Sequence, residues 1–380
     1  MRPLMMLFLV LGLALVPLSA KTKEEKVDFL SLAALLMRDG YYDRAEQALS
    51  EVDTNDTKVD MARFYTLHGL LSTKLSRFEE SITYFYKAIA QGQEDKTLYI
   101  YIAQSHFSLK EYAKAIEALD TAGEIAKTKA GLFGLKAQCY FELEQAQNAI
   151  DVLREGMARF DEDSTLYRQT FFYLAHWGLF QEAMPYAQGY IAREKNAKAY
   201  IAIASLLKKA KQRALAIGLM EEAKLAYPKD ADAMVMLAHL YIDEGKLHAA
   251  ADLFDQASIY ESKYIKEAGE LYRRAKALYR ALYFNAQILD QKEKLQQRLA
   301  ILLEFGDYEI AAAMEQSLGR VGLIENEDIR YALAFTLFQT GEYGACESHL
   351  AQLTRSDLFR KAIELRKSIQ KCQETPWECE

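Results

Sequence analysis

Six histidines, four cysteines and a scatter of adjacent carboxylates are the residues of this 380-residue chain that could carry chemistry, and their spacing decides whether they do. A metal site on a helix needs two imidazoles three or four positions apart on one face. His68, His106, His176, His239, His248 and His349 offer no such pair. The sequence contains no His-Glu-x-x-His, no Cys-x-x-Cys, no Gly-x-Ser-x-Gly and no glycine-rich phosphate loop. Carboxylate pairs such as Glu79-Glu80 and Glu221-Glu222 read as solvated helix faces. The basic pairs Lys208-Lys209 and Arg273-Arg274 are too small and too isolated to argue for nucleic acid. The expectation is a protein without cofactor, metal or small-molecule substrate, and not an enzyme.

The stretch from Met1 to Ala20 reads differently from the rest. Met1-Arg2-Pro3 carries one positive charge, Leu4 to Val16 is unbroken apolar sequence, and Leu18-Ser19-Ala20 ends in small residues. That is the anatomy of a secretory signal peptide. The alternative is an uncleaved anchor, but 13 apolar residues make a helix of only about 20 Å, short of a hydrocarbon core of about 30 Å. The expected mature chain starts at Lys21 and is periplasmic. No cysteine follows the leader to carry a lipid, and no second stretch is apolar enough to span a bilayer. The net charge of -7 becomes -8 once Arg2 leaves with the leader, so nothing global draws the chain to nucleic acid or anionic lipid.

An oxidising compartment raises the question of disulfides. Cys139 falls beside core positions and Cys346 in a slot where other copies of the repeat described below hold alanine; both read as small buried residues. Cys372 and Cys379 flank Gln-Glu-Thr-Pro-Trp-Glu, a span able to fold back through the Thr375-Pro376 turn. A Cys372–Cys379 disulfide is the expected pairing, and one involving Cys346 or an unpaired tail are the alternatives.

The elements that must position any site come from a repeat. Aligned on a small residue at position 8, an aromatic at 17, Ala at 20 and a large apolar residue at 24, copies start at 26, 62, 96, 130, 164, 197 and 231, at spacings of 36, 34, 34, 34, 33 and 34. In the third copy Tyr99, Ile102 and Ala103 sit on the first helix and Tyr112, Ala115, Leu119 and Ala122 on the second. Position 20 must be small where two helices cross at about 8–10 Å. Gly40, Gly178, Gly245, Gly306 and Gly341 fall at position 15, in the turn between helices. Pro185 falls inside the second helix of the fifth copy and is expected to bend it. Residues 263–291 keep a helical period (Tyr264, Ala268, Leu271, Tyr272, Ala275, Tyr279, Tyr283) without the turn glycine or the position-20 alanine, and so read as one irregular helical pair.

This period and pattern resemble the tetratricopeptide repeat, a helix-turn-helix unit of about 34 residues. The resemblance implies an all-α, right-handed solenoid: seven repeats over 21–262, the irregular pair at 263–291, two further repeats and a capping helix over 292–371, and a tail at 372–380. It also implies that first helices line a concave groove, into which positions 2, 5, 6, 9, 12 and 13 project. Copies three and four then contribute Tyr101, Gln104, Phe107, Gln138 and Phe141. Copy five gives Arg168, Gln169, Phe172 and His176; copies six and seven give Lys208, Lys209, Met236 and His239. Aromatics interleaved with glutamines suit an extended peptide or a partner helix. The same aromatics could instead be buried against the next helix. Asn55, Asn148, Asn196, Asn285 and Asn326 all miss the groove positions, which argues against the family's clamp for a peptide carboxylate. The stretch from Ala281 through Leu-Asp-Gln-Lys-Glu-Lys to Glu-Phe-Gly-Asp-Tyr, with the later Glu-Asp-Ile-Arg-Tyr-Ala-Leu-Ala, resembles exported repeat proteins associated with TonB energy-transduction systems. That likeness implies a periplasmic scaffold of an envelope complex whose partners are other envelope proteins or their peptide segments. An assembly factor for pili, secretion or exopolysaccharide export would use the same groove.

Overall fold

A computed structural model describes residues 27–375. The leader, its cleavage after Ala20 and Cys379 lie outside the described residues. The chain divides into two compact units, Met1–Asp161 and Glu162–Glu380.

The first unit stacks four helical hairpins: α1 (Phe29–Arg38) with α2 (Tyr42–Ser50), α3 (Met61–Lys74) with α4 (Phe78–Ala90), α5 (Thr97–Ser108) with α6 (Tyr112–Ala122), and α7 (Ala130–Glu142) with α8 (Ala146–Arg159). The second unit continues with α9 (Ser164–His176) and α10 (Phe180–Glu194), α11 (Ala197–Lys209) and α12 (Arg213–Ala226), α13 (Ala231–Asp243) and α14 (Leu247–Tyr260), and α15 (Ile265–Arg274) and α16 (Leu278–Gln287). It ends with α17 (Gln291–Phe305), α18 (Tyr308–Ala312), α19 (Glu315–Arg320), α20 (Glu327–Gln339), α21 (Tyr343–Leu350) and α22 (Ser356–Glu374). The class is all-α and built of repeated hairpins, as the period predicts.

Two local devices set each hairpin. Seven of the ten first helices open on a side-chain cap: Asp28, Asp60, Asp163, Asn196, Asp230, Asp290 and Asn326 each accept a hydrogen bond from a backbone N–H of the first turn, whereas α5, α7 and α15 have none. Second helices are entered instead through the turn. Its position-15 residue has φ between +57° and +84° in all ten hairpins of the described residues. The next N–H then donates back to the carbonyl five places earlier, as Tyr41 to Leu36 (2.8 Å) and Ala277 to Tyr272 (2.8 Å) do. This closes a Schellman motif each time. Glycine occupies five of these turns; Ser76, Lys110, Glu144, Lys211 and Lys276 hold the same left-handed conformation in the others.

The crossing residue five places later is fully buried in every hairpin: Ala45, Ser81, Ala115, Ala149, Ala183, Ala216, Ala250, Ala281, Ala311 and Cys346. Positions 8 and 24 face each other across it, since a Cβ on Gly69 would come within 2.6 Å of the Phe85 ring. The fifth hairpin inverts the sizes at these two positions, with Phe171 fully buried at 8 and Ala187 at 24. Its helix α10 runs on through Pro185, from Phe180 to Glu194.

The eighth and ninth hairpins show detail that the sequence reading did not resolve. Residues 263–291 are a hairpin of the same kind, with Lys276 as its turn residue and Ala281 at position 20. The copy was hidden because the turns at Gly245, Lys276 and Gly306 follow one another more closely than those of the earlier copies. Tyr279 and Tyr283, counted with the apolar period, stand 78% and 65% exposed on α16, while Ala281 and Phe284 turn inward. In the ninth hairpin position 24 is Glu315, a side chain that cannot enter an apolar core unpaired. The second helix breaks at Ala313–Met314, Met314 takes the buried place, and Glu315 meets His349 at 3.0 Å.

Candidate functional site

In the first unit the predicted first-helix face is only half free. Tyr101 stacks on the fully buried Phe85 ring (5.6 Å, 20°), and Phe107 packs against Tyr112 (5.7 Å). Gln104 is exposed, whereas Gln138 and Phe141 are half-buried. Tyr101 and Phe107 therefore serve packing as well as surface, and Gln104 is the exposed polar group between them.

The second unit presents more. On α9, Arg168 and His176 are exposed and Phe172 is 44% exposed, while Phe171 next to it is fully buried. Gln169 donates to the Tyr173 hydroxyl at 2.6 Å, and the Phe172 ring lies 6.0 Å from Tyr173 and 6.4 Å from His176. On α11 and α13, Lys209 and His239 are exposed, and Met236 is half-buried. Lys208 is not available to a partner's charge: it pairs with Asp243 of the next first helix at 2.9 Å. The same clasp recurs as Lys266–Glu293 (2.5 Å) and Arg273–Glu304, each joining neighbouring first helices. The more exposed of these, Lys208–Asp243 and Lys266–Glu293, contribute little stability but neutralise the face locally. Among its groove positions Arg168 and Lys209 hold no ion pair within the described residues. His239 packs edge-on against Phe254 (5.7 Å), and desolvation, with Lys208 nearby, lowers its pKa against the pull of Asp243.

The remaining candidates are structural. Cys139 and Cys346 are free and fully buried, and desolvation pushes both thiols up to about 11, so neither is a nucleophile at neutral pH. Since Cys346 is free, it drops out of the disulfide alternatives; the expected Cys372–Cys379 pair involves a residue outside the description. His106 bonds Glu111 at 2.6 Å, and His68 stacks on Tyr84 at 4.7 Å. Sequence reading missed two polar groups of the second unit, the buried His349 beside Glu315 and the buried Asn285–Gln297 pair, because a single polar residue at a core position has no periodic signature. Among the described residues no group of three His, Cys, Asp or Glu could hold a metal, and no helix is long and apolar enough to cross a membrane.

Repeated hairpins whose first helices carry a mixed aromatic, amide and basic face define the class: a helical-repeat protein. The tetratricopeptide-repeat family matches residues 62–90 and 231–258, that is α3–α4 and α13–α14, and the family of anaphase-promoting complex, cyclosome, subunit 3 matches residues 82–156. No curated protein matches in sequence. Similar solved structures include MamA 41-end from Desulfovibrio magneticus RS-1, 17% identical over 44% of this chain and 97% of that one, with a TM-score of 0.40. A tetratricopeptide repeat protein from Parabacteroides merdae ATCC 43184 is 16% identical over 64% of this chain and 96% of that one, with a TM-score of 0.43.

Proposed function

We propose that the chain is a non-enzymatic scaffold that binds protein segments along its first-helix faces, exported to the periplasm as a component of a cell-envelope complex. The observation that carries the binding role is on α9, where Phe171 fills the core and Phe172 beside it stands 44% exposed between Arg168 and His176. An outward ring flanked by a cation and an imidazole is the kind of group that anchors a partner segment. Export rests on the three-part leader in the sequence, and the envelope system on the resemblance of residues 281–308 to TonB-associated repeat proteins; an assembly factor for pili, secretion or exopolysaccharide export is the second reading.

A photo-crosslinking residue placed in living cells at Gln104 or Lys209, on first helices, and at Glu222, on a second helix, tests the binding role. The expected result is one discrete protein adduct from the first two positions and none from the third. Equal labelling from all three, or none from any, would overturn it. Intact-mass measurement on protein from the envelope tests export, with loss of the Met1 to Ala20 leader expected and full-length chain refuting it.

A further inference from the structure

Three aliphatic side chains of the second unit stand out where packing asks for nothing apolar. Leu225 is 84%, Ile259 73% and Leu289 93% exposed, the three most exposed large aliphatic residues among those described. They stand at the close of three successive hairpins, Leu225 and Ile259 in the last turns of α12 and α14 and Leu289 two residues beyond the end of α16. Leu225 and Ile259 follow the turn residues Lys211 and Gly245 at the same interval, and Leu289 follows Lys276 at an interval one place shorter. Each second helix packs on the next first helix, α12 on α13, α14 on α15 and α16 on α17, so the connections from one hairpin to the next repeat along the array. The repeat does not require them, because the other hairpins put Thr54, Glu124, Arg320, Arg355 or an alanine there.

Each aliphatic tip is followed three or four places later by an exposed lysine: Lys229, Lys263 and Lys292. Lys229 and Lys292 hold no ion pair among the described residues, and Lys263 pairs with Glu261. The carboxylates beside them, Asp230 and Asp290, are turned to backbone N–H groups as helix caps. Tyr260, 47% exposed, flanks Ile259.

We propose that this edge seats the second unit on an anionic lipid bilayer, with the three aliphatic tips entering the boundary between headgroups and acyl chains and the lysines facing lipid phosphates. A protein interface has a continuous apolar core inside a polar rim. Here single tips protrude between polar helix ends, each with its own cation, which is the pattern a lipid surface accommodates. The net charge of -7 supplies no attraction by itself, so the contact depends on this local row. The edge lies where second helices pass into the next hairpin and is separate from the first-helix face assigned to protein segments.

Flotation of the chain with vesicles of equal parts phosphatidylcholine and phosphatidylglycerol tests the proposal. Binding is expected to the mixed vesicles, to weaken with salt, and to be absent on phosphatidylcholine alone. The triple variant Leu225→Asp, Ile259→Asp, Leu289→Asp should lose more than about tenfold in partitioning, with an unchanged melt because all three sites are solvent-facing. Lys229→Glu with Lys292→Glu should weaken binding while leaving the apolar tips in place. A parent chain that does not float, or a folded triple variant that floats as well as the parent, overturns the proposal. Should the parent fail to float while the triple variant loses a discrete protein crosslink in cells, the edge is a protein contact and the lipid assignment is wrong.

Discussion

Asn285 and Gln297, both buried, hold the eighth hairpin to the helix that follows it: Asn285 Nδ2 donates to Gln297 Oε1 at 3.2 Å and to the Lys294 carbonyl at 2.8 Å, and Gln297 Nε2 donates to the Lys266 carbonyl at 2.9 Å. The glutamine side chain lies against Gly269, where an added Cβ would come within 2.9 Å of Oε1. Asn285 stands at position 24, apolar in most hairpins, and an amide works there only because all its partners are present.

Removing one partner should therefore cost more than removing an exposed amide. Gln297→Leu or Asn285→Leu is expected to destabilise by about 1–3 kcal/mol, the penalty for a buried polar group left without its bond. The double variant should cost less than the sum of the singles, because the bond between the two residues is lost only once. Urea melts of the four proteins check this; additive losses would show that the two amides do not act together.

The turns give a second expectation with the opposite sign. Lys110, Glu144 and Lys276 hold φ of +61°, +57° and +61°, a region that costs a side-chain-bearing residue about 1–2 kcal/mol. Glycine removes that strain but adds unfolded-state entropy. Glu144→Gly and Lys276→Gly should each stabilise by up to about 1 kcal/mol, whereas Gly178→Ala, at φ +79°, should destabilise by a similar amount. A melt moved the other way by either glycine would contradict the turn assignment.

How far the sequence led depends on which residue carried the signal. Position 20 was legible because a crossing between helices tolerates only a small side chain, and Ala115, Ala149 and Ala250 recur at that spacing fully buried. The eighth hairpin was legible only as an irregular helical pair, since its turn at Lys276 follows Gly245 and precedes Gly306 at shorter intervals than the earlier copies keep. Tyr279 and Tyr283 show the limit of periodicity, which groups residues on one helical face without saying whether that face is inward. On the candidate face, composition told rings from amides, but only packing shows that Tyr101 leans on Phe85 and that Lys208 is spent on Asp243. The break before Glu315 has a reason visible only afterwards, in its pairing with His349.

His68 provides the pH dependence. Partial burial between Phe64 (4.5 Å) and Tyr84 (4.7 Å) lowers its pKa from 6.5, with Glu46 and Glu80 opposing the shift and Lys87 adding to it. A folded-state pKa below the unfolded one means that the fold prefers the neutral imidazole. Its contribution is present above the unfolded value and is lost as pH falls through 6.5 toward the folded value. The parent should melt lower at acid pH than at neutral pH, and His68→Phe, which keeps the ring stack and removes the titration, should flatten part of that slope. An identical pH profile in the variant would mean that other groups set it.

Phe171 and Phe172 allow the packing face and the binding face of one helix to be separated at adjacent positions. Phe171 is fully buried, and Phe171→Ala should cost about 3–5 kcal/mol. Phe172 is 44% exposed, so Phe172→Ala should cost well under that, about 1 kcal/mol or less. If the exposed ring anchors a partner, the same change should weaken capture of the protein that crosslinks to Lys209 by about 2 kcal/mol in binding free energy. Combining it with Phe141→Ala, half-buried in the first unit, asks whether both units contribute to one binding event. The melt and the capture are measured on the same protein, so a loss of binding through unfolding is recognised at once. A folded Phe141→Ala, Phe172→Ala variant that captures its partner as the parent does would remove the first-helix face from the binding site and leave the edge of Leu225, Ile259 and Leu289 as the surface to pursue.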